Sequence, residues 1–378
     1  MKISQLDTPC LILDRGILSR NAQRLTSHMQ TLSVKLRPHM KTAKSIDVAR
    51  IVLVGNFGGI TVSTLKEAEY FAAHGIRDMI YAVSMVPAKV ERAAALLKQG
   101  IDLKFIMDNP GAAHATATRA VELGVELTIL IEIDVGDRRG GMVPDAESLL
   151  EMGRALNDSP GVRLGGVLTH AGNSYDCRTI EELHQVTAAE RDGALFAASR
   201  LRDAGLPCEI VSIGSTPTAV HARDLEGVTE IRSGVYMFGD VFQAEIHSCD
   251  VKDMAMSVLA TVIGHRTELN CALIDAGSLA LSQDRSTAAS GLPEDVGYGL
   301  VMDENATSRI ANMRVSRAFQ EHGVLSCEGN FPFDQFPIGS RVRVFPNHAC
   351  TMAAMYDSYQ VVELDDVVID IWSRVNGW

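Results

Sequence analysis

The chain has 378 residues, of which 22% are charged, and its formal net charge is −12. A chain of this length is expected to form two domains, or one large barrel with an additional domain. The acidic balance excludes proteins that bind nucleic acid or an anionic membrane through a basic face, and it favours a role with small molecules.

The N-terminal segment is the first predicted element. Residues 1–10, MKISQLDTPC, lack the apolar core of a signal peptide, and no later segment is apolar for long enough to cross a membrane. These features predict a cytoplasmic protein. Residues 7–14, DTPCLILD, are typical of a β-strand, and we expect residues 1–13 to pair with a sheet formed by the C-terminal part of the chain.

Eight strand-like runs alternate with helix-like segments between residues 33 and 237. The predicted strands span residues 33–39, 59–64, 78–84, 102–108, 126–134, 163–170, 208–215 and 228–237. The segments between them, such as TLKEAEYFAAHG, carry apolar residues at helical spacing and end in glycine. This alternation predicts an α/β fold, a (β/α)8 TIM barrel over residues 14–245. A doubly wound open sheet is the alternative, but it would carry a GxGxxG motif after an early strand, and the sequence has none there.

Lys41 follows the first predicted barrel strand, in the stretch LRPHMKTAKS. Active sites of such barrels lie at the carboxyl ends of the strands, and phosphate is often held after strands seven and eight. There the sequence has GSTPT, which includes Ser215 and Thr216, and RSGVYMFGD, which includes Gly234 and Tyr236. Glycine, hydroxyl and backbone N–H groups can hold a phosphate, although both segments also suit ordinary turns. A lysine that faces a phosphate site predicts pyridoxal phosphate, whose aldehyde bonds to lysine.

His170 and Tyr175 lie in LTHAGNSY, at the end of the sixth predicted strand. At this position an imidazole can lie against a planar cofactor, and a phenol can reach a ring nitrogen. The alternative is that His170 is an ordinary hydrogen-bonded polar residue. Arg138 and Arg139 follow the fifth predicted strand, either as part of the site or as solvated charges on a loop.

Strand-like runs continue after residue 245, but without long helices between them. They span residues 256–266, 271–277, 340–348 and 359–372, and they predict a second, mostly β domain over residues 246–378. His348 and Cys350 are two positions apart, so on a strand they would point to the same face. An imidazole and a thiolate on one face form half of a zinc site, completed by water or substrate. The alternative is a chance pairing with an inert buried cysteine.

Six motifs in order along the chain resemble those of one family. LRPHMKTAKS, GITVSTLKEAEYF, LTHAGNSY, SIGSTPT, EIRSGVYMF and PNHAC together resemble the D-serine dehydratase and D-threonine aldolase family of fold-type III pyridoxal-phosphate enzymes, which is related to alanine racemase. The resemblance extends from LDTPCLILD to PNHAC and so covers nearly the whole chain. It implies an alanine racemase-like barrel that binds pyridoxal phosphate, a β domain that supplies a divalent metal, and a homodimer.

The resemblance also implies roles for individual residues. Lys41 would be the lysine that forms a Schiff base with the cofactor, and His170 and Tyr175 would contact the cofactor ring. His348 and Cys350 would be the metal ligands. The phosphate would be held by Ser215, Thr216 and the backbone around Gly234 and Tyr236.

Within the family, the His-x-Cys arrangement resembles the dehydratases, whereas the aldolases carry His-x-Asp. VSTLKEAE and DAGSLALSQDR look most like the enzyme that acts on D-threo-3-hydroxyaspartate. The implied activity is that of a lyase, a dehydratase that converts D-threo-3-hydroxyaspartate or D-serine to a 2-oxo acid and ammonia. The alternatives are a D-threonine aldolase and a non-catalytic pyridoxal-phosphate carrier.

Two details of the implied site stay open at this point. The thiolate ligand favours zinc, with manganese or magnesium as alternatives. A substrate with a second carboxylate needs a cation, and the candidates, which the sequence does not rank, are Arg138, Arg139, Arg232 and Arg285.

Overall fold

The computed structural model describes residues 1–363 and 366–378, and it describes position 311 by its backbone alone. The described residues form two compact units. Unit 1 comprises residues 1–22 and 235–376, and unit 2 comprises residues 23–234 with residues 377–378. The predicted strand run 359–372 includes positions 364 and 365, which lie outside the described residues.

The chain begins with strand β1 (Cys10–Asp14), which belongs to unit 1, and helix α1 (Arg15–Thr31), in which the boundary between the units falls. In the described part of the chain, unit 2 contains a barrel of eight parallel strands. These are β2 (Lys35–Pro38), β3 (Ile60–Val62), β4 (Asp78–Ser84), β5 (Asp102–Met107), β6 (Leu127–Ile133), β7 (Val162–Thr169), β8 (Ile210–Ile213) and β9 (Glu230–Ser233). Their order is β2-β9-β8-β7-β6-β5-β4-β3, and a parallel bridge between His39 and Thr61 closes the barrel. The predicted (β/α)8 barrel is confirmed.

Helices connect the barrel strands, and local sequence sets their ends. They are α2 (Ile46–Val52), α3 (Leu65–Ala73), α4 (Val90–Leu97), α5 (Pro110–Glu122), α6 (Glu147–Asp158), α7 (Ile180–Asp203) and α8 (Thr216–His221). The Thr64 hydroxyl accepts the backbone N–H of Glu67 at the start of α3, and Thr179 and Glu182 form a capping box at the start of α7. Gly75 follows α3 with a φ of +93°, the left-handed conformation in which many helices end.

Charged side chains fill the amino-terminal end of the barrel. Arg37 on β2 is 2% exposed, and its guanidinium donates to Glu230 on β9 at 2.9 Å and to Asp78 on β4 at 3.0 Å. Lys104 on β5 donates to the same Asp78 carboxylate at 2.9 Å. Burial lowers the pKa of Arg37, but Glu230 and Asp78 outweigh it and raise that pKa above its ordinary value. These ion pairs therefore join β2, β4, β5 and β9.

Unit 1 is built around a second sheet, mostly antiparallel. After the short helix α9 (Val241–Glu245), its elements are β10 (Met256–Arg266), β11 (Cys271–Ile274), α10 (Ser278–Leu281), β12 (Leu300–Asp303), β13 (Arg309–Ala318), β14 (Gly323–Cys327), β15 (Arg341–Phe345), α11 (Ala349–Ala353), β16 (Ser358–Val362) and β17 (Val368–Ser373). Across the described residues the sheet order is β11-β14-β13-β12-β15-β10-β1-β16-β17, and β11 also pairs with β10. Strand β1 runs antiparallel to β10 and parallel to β16.

Several predicted strands differ from those observed. The predicted strand 228–237 is shorter in the structure, because β9 ends at Ser233 and a 3-10 turn follows at Val235–Met237. Strands β12, β13 and β14 were not predicted, since polar and charged residues interrupt the apolar alternation there, as in RIANMRVSRA. Among the helices of the described residues, none is long and apolar enough to cross a lipid bilayer.

Candidate functional site

Lys41 lies immediately beyond β2, past the bridge between His39 and Thr61. Its side chain is exposed, and its backbone N–H is 3.4 Å from Nδ1 of His39. Burial is the main cause of the lowered pKa of His39 and of His170, and the charge of Lys41 lowers both further. Lys41 is therefore close to the histidines at the carboxyl ends of β2 and β7.

His170 directly follows β7 and is partly buried. Its Nδ1–H donates to the carbonyl oxygen of Gly214, beyond β8, at 3.0 Å. Burial lowers the pKa of His170 to about 3, and the positive charges of Lys41 and Arg139 lower it further, although the hydrogen bond to Gly214 acts in the opposite direction. The imidazole is therefore neutral at pH 7. The ring of Tyr175 is 6.2 Å from that of His170, at an interplanar angle of 48°.

Buried hydroxyl groups surround the start of α8. The Ser215 hydroxyl is 2.9 Å from that of Ser174 and 3.0 Å from that of Thr218. The Thr216 hydroxyl is 2.8 Å from that of Ser233, at the end of β9. Hydroxyl groups can rotate to donate to a new acceptor, so this cluster fits the phosphate group of a cofactor.

Two glycines near this hydroxyl cluster lie where a side chain would collide with the backbone of another segment. A Cβ atom at Gly214, where φ is +130°, would lie 2.3 Å from the Arg232 carbonyl oxygen. One at Gly234 would lie 3.0 Å from the carbonyl oxygen of His39.

Tyr236, in unit 1, has a buried hydroxyl without a hydrogen-bond partner among the described residues, and burial raises its pKa. Such a hydroxyl can donate to a ligand oxygen.

The four candidate arginines differ in their contacts. Arg232 is 4% exposed and donates to the Ser212 hydroxyl and the Thr169 carbonyl, and burial lowers its pKa to about 10. Its guanidinium is thus engaged within the barrel. The remaining candidates are on loops: Arg138, which is exposed; Arg139, which is 3.8 Å from Glu132; and Arg285 of unit 1, which is 2.7 Å from Asp295.

The structure corrects the strand placement of His348 and Cys350. Strand β15 ends at Phe345, since Pro346 has no N–H to continue the ladder. His348 is instead the N-cap residue of α11, and Cys350 lies in the first turn of that helix. The two side chains nevertheless come within hydrogen-bond reach of each other.

Two carboxylates that the sequence reasoning did not single out accompany this pair. Asp284 Oδ2 is 3.4 Å from Nδ1 of His348, and Asp240 Oδ2 accepts the Ala349 N–H at 2.9 Å. Burial alone would lower the pKa of His348, but Cys350, Asp284 and Asp240 raise it to about 11. The only signal for the two aspartates was their place in RSGVYMFGD and LSQDR.

The donors around His348 fit a divalent metal with an open coordination position. No group of three or more His, Cys, Asp or Glu side chains within the described residues is arranged as a metal cage. An imidazole, a thiol and a nearby carboxylate are nevertheless the ligand types that zinc prefers, and catalytic zinc sites leave room for water or substrate. The surplus of negative charge beside His348 favours a cation there.

Comparisons with known proteins bear on both sites. The alanine racemase N-terminal domain family matches residues 13–241, and the putative serine dehydratase domain family matches residues 255–362. The D-threo-3-hydroxyaspartate dehydratase of Delftia sp. (strain HT23) is 46% identical to this chain, over 99% of the chain and 98% of the relative. The D-serine dehydratase of Dictyostelium discoideum is 30% identical over 100% and 98%, and the D-threonine aldolase of Arthrobacter sp. is 29% identical over 98% and 92%.

Solved structures show the same similarity. That of the Delftia dehydratase has a TM-score of 0.96 and 44% identity, and the match covers 100% of both chains. A cysteine-to-alanine variant of this dehydratase in a metal-free form also has a TM-score of 0.96, with 44% identity and full coverage of both chains. The existence of a metal-free form implies that this neighbour otherwise carries a metal.

Proposed function

The chain belongs to the fold-type III pyridoxal-phosphate enzymes, with an alanine racemase N-terminal domain and a putative serine dehydratase domain, and from this we propose that it is a D-β-hydroxy amino acid dehydratase. Its substrate is D-threo-3-hydroxyaspartate or D-serine, and its products are a 2-oxo acid and ammonia. The observation that carries the proposal is the 46% identity with a dehydratase over nearly the full length of both chains.

The residues of unit 2 suit the cofactor part of this reaction. Pyridoxal phosphate, when bound, supplies an electron sink that makes the Cα proton of an amino acid acidic. Lys41 would hold the cofactor aldehyde, and its amine would serve as the base for the Cα proton. His170, as a neutral imidazole, and Tyr175 would contact the cofactor ring. The Ser215 and Thr216 hydroxyls, with the backbone at Gly234 and Tyr236, would hold the phosphate.

The residues of unit 1 suit the departure of the β-hydroxyl. A divalent metal, when bound, supplies a Lewis acid that stabilises the departing oxygen. His348 and Cys350 are its proposed ligands, and the thiolate favours zinc over manganese or magnesium. Asp284 keeps His348 oriented for coordination.

The alternative reaction is that of a D-threonine aldolase. It is favoured by the 29% identity with the Arthrobacter enzyme over 98% of the chain, and its bond cleavage needs the same kinds of group. We favour the dehydratase because Cys350 stands at the metal position. We also propose a homodimer, from the family resemblance, and, from the sequence patterns, a cytoplasmic protein whose two domains meet between residues 245 and 246.

Product analysis tests the reaction. Purified protein with pyridoxal phosphate and zinc is incubated separately with D-serine, D-threonine, and threo and erythro D-3-hydroxyaspartate. A dehydratase releases ammonia and a 2-oxo acid from D-threo-3-hydroxyaspartate or D-serine. Glycine and an aldehyde would identify an aldolase instead, and a protein that binds pyridoxal phosphate but converts none of these substrates would identify a carrier.

A further inference from the structure

Glu190 is a buried carboxylate on α7 that has no part in the reaction described above. It is 1% exposed, in the middle of a helix whose other buried residues are mostly small or apolar. A buried acidic side chain is retained only where hydrogen bonds or charges compensate for its desolvation. Its contacts therefore indicate why it is there.

One oxygen of Glu190 joins the ends of two barrel strands. Oε1 accepts hydrogen bonds from the Thr169 hydroxyl at 2.9 Å and from the Ala171 N–H at 3.1 Å, on either side of His170. The same oxygen accepts the Gly214 N–H at 2.8 Å. A single acceptor thus fixes the segment that carries His170 and the turn that leads into Ser215.

The Glu190 carboxylate also interacts electrostatically with a buried arginine of the barrel. Glu190 is the anion that most favours the charged form of buried Arg232, whose guanidinium donates to the Thr169 carbonyl. The other oxygen of Glu190, Oε2, is buried without a hydrogen-bond partner among the residues the structure describes. The hydrogen bonds of Glu190 are therefore concentrated on Oε1, at the strand ends.

We propose that Glu190 is a positioning residue for pyridoxal phosphate, which holds His170 and the turn at Gly214 and Ser215 in the arrangement that the cofactor needs. The inference rests on the proposed cofactor site. Gly214 links the two halves, because its N–H donates to Glu190 and its carbonyl accepts from His170. Without the Glu190 acceptor, the Thr169 hydroxyl and the N–H groups of Ala171 and Gly214 would lose this hydrogen-bond partner. The His170 imidazole would then no longer be held in a fixed position relative to the proposed phosphate site.

The test compares Glu190→Ala with Thr187→Ala. Thr187 is a matched control because it is buried on the same helix, but its hydroxyl donates to Leu183 within that helix. Pyridoxal-phosphate affinity is measured by absorbance titration, and thermal unfolding is followed in parallel. Glu190→Ala is expected to bind pyridoxal phosphate at least about tenfold more weakly than wild type and with a shifted absorbance maximum. Thr187→Ala is expected to keep wild-type affinity even if it melts at a lower temperature.

Two further variants separate positioning from folding. Glu190→Gln keeps an acceptor oxygen and is expected to bind within about threefold of wild type. Glu190→Asp keeps the charge but shortens the side chain by one methylene, so it is expected to bind pyridoxal phosphate more weakly than wild type. It takes the place of Glu190→Ala in the test if that variant does not fold. Wild-type affinity in Glu190→Ala or Glu190→Asp, equal loss in Thr187→Ala, or no rescue by Gln would overturn the inference. If the wild-type protein itself binds no pyridoxal phosphate, the proposed function fails rather than the role of Glu190.

Discussion

Two histidine side chains close to Lys41 are kept neutral by burial, with a smaller contribution from neighbouring positive charge. His39 and His170 have lowered pKa values, chiefly through burial and then through Lys41 and Arg232. A neutral imidazole carries no charge that would repel neighbouring cations, so it is able to lie against a cofactor ring.

Replacing Lys41 tests the cofactor assignment directly. We expect Lys41→Ala, mixed with pyridoxal phosphate, to lack the visible absorbance of the lysine-bound cofactor, because no other amine takes its place at the end of β2. Lys44→Ala is the control. Lys44 lies three positions further along and is engaged with buried Glu67 at 3.2 Å, so this variant should retain the absorbance. Retention by Lys41→Ala would contradict the assignment.

His170 is expected to make the cofactor-free protein less stable in acid. The unfolded chain protonates this residue near 6.5, whereas the folded chain does so near 3. Between these values the unfolded state binds more protons, so His170 lowers the free energy of unfolding by up to about 1.4 kcal/mol for each pH unit of acidification. Urea unfolding measured from pH 7 to pH 4 should show a shallower dependence in His170→Asn. The same change at His114, which is exposed on α5, should leave the wild-type dependence, and equal slopes in all three proteins would refute the prediction.

Residues of the site were predictable where a motif and a strand end coincide. Lys41, His170 and Ser215 follow barrel strands, so counting strands places them at one end of the barrel. Glu190 was not predictable, because it lies on a helix, fifteen residues after the end of the motif LTHAGNSY, and reaches the strand ends only through its side chain. Asp284 was missed for a similar reason, since its relation to His348 arises from a contact distant in sequence.

Among the secondary-structure elements, the charged side chains at the amino-terminal end of the barrel connect several strands. Arg37 links β2 to β9 and β4, the strands on which Glu230 and Asp78 lie. Since β2 also takes part in the closure of the barrel, this cluster fixes the strand that immediately precedes Lys41.

Removing Arg37 should destabilise the barrel strongly. In Arg37→Leu, Glu230 and Asp78 lose their principal partner, and loss of one member of a buried ion pair costs about 3–5 kcal/mol. Arg92→Leu is the control, because Arg92 pairs with Glu69 on the exposed surface at 2.9 Å and such pairs contribute about 1 kcal/mol or less. Urea unfolding monitored by circular dichroism gives both values. Similar losses in the two variants would show that the buried cluster is not a major source of stability.

The barrel strands were predictable because each is a short apolar run followed by an amphipathic helix. The observed β4, for example, matches its predicted range, residues 78–84. In unit 1, the predicted run 256–266 likewise matches β10. The strands of unit 1 that were not predicted form for a different physical reason. In β13, for example, Arg309, Arg314 and Arg317 interrupt the apolar pattern, and pairing with neighbouring strands determines the structure more than local sequence does.

The whole molecule divides its proposed chemistry between two units. Lys41, His170 and Ser215 belong to unit 2, whereas His348 and Cys350 belong to unit 1. The proposed cofactor lysine and the proposed metal ligands therefore have separate structural supports. Loss of one ligand need not cause loss of the other.

Chelation should separate the two bound groups. Dialysis against a chelator is expected to abolish ammonia release while the visible absorbance of pyridoxal phosphate persists, because Lys41 and the hydroxyl cluster are not metal ligands in the proposal. Readdition of zinc should restore activity. In the converse experiment, Lys41→Ala should retain the wild-type zinc content when metal is measured by atomic absorption. Activity that is indifferent to chelation would remove the metal from the mechanism.

Strand β1 has a consequence for how the protein is made. It lies between β10 and β16, and Ile12 pairs with Gln360, so β1 leaves the ribosome long before its second partner strand has been synthesised. Unit 2, formed by residues 23–234 apart from its last two residues, has nearly all of its chain available much earlier. Contacts between such distant segments form slowly, and the apolar strand Cys10–Asp14 remains without its full sheet meanwhile. Nascent chains stalled before residue 358 should therefore hold a folded barrel beside an N-terminal segment that chaperones can bind.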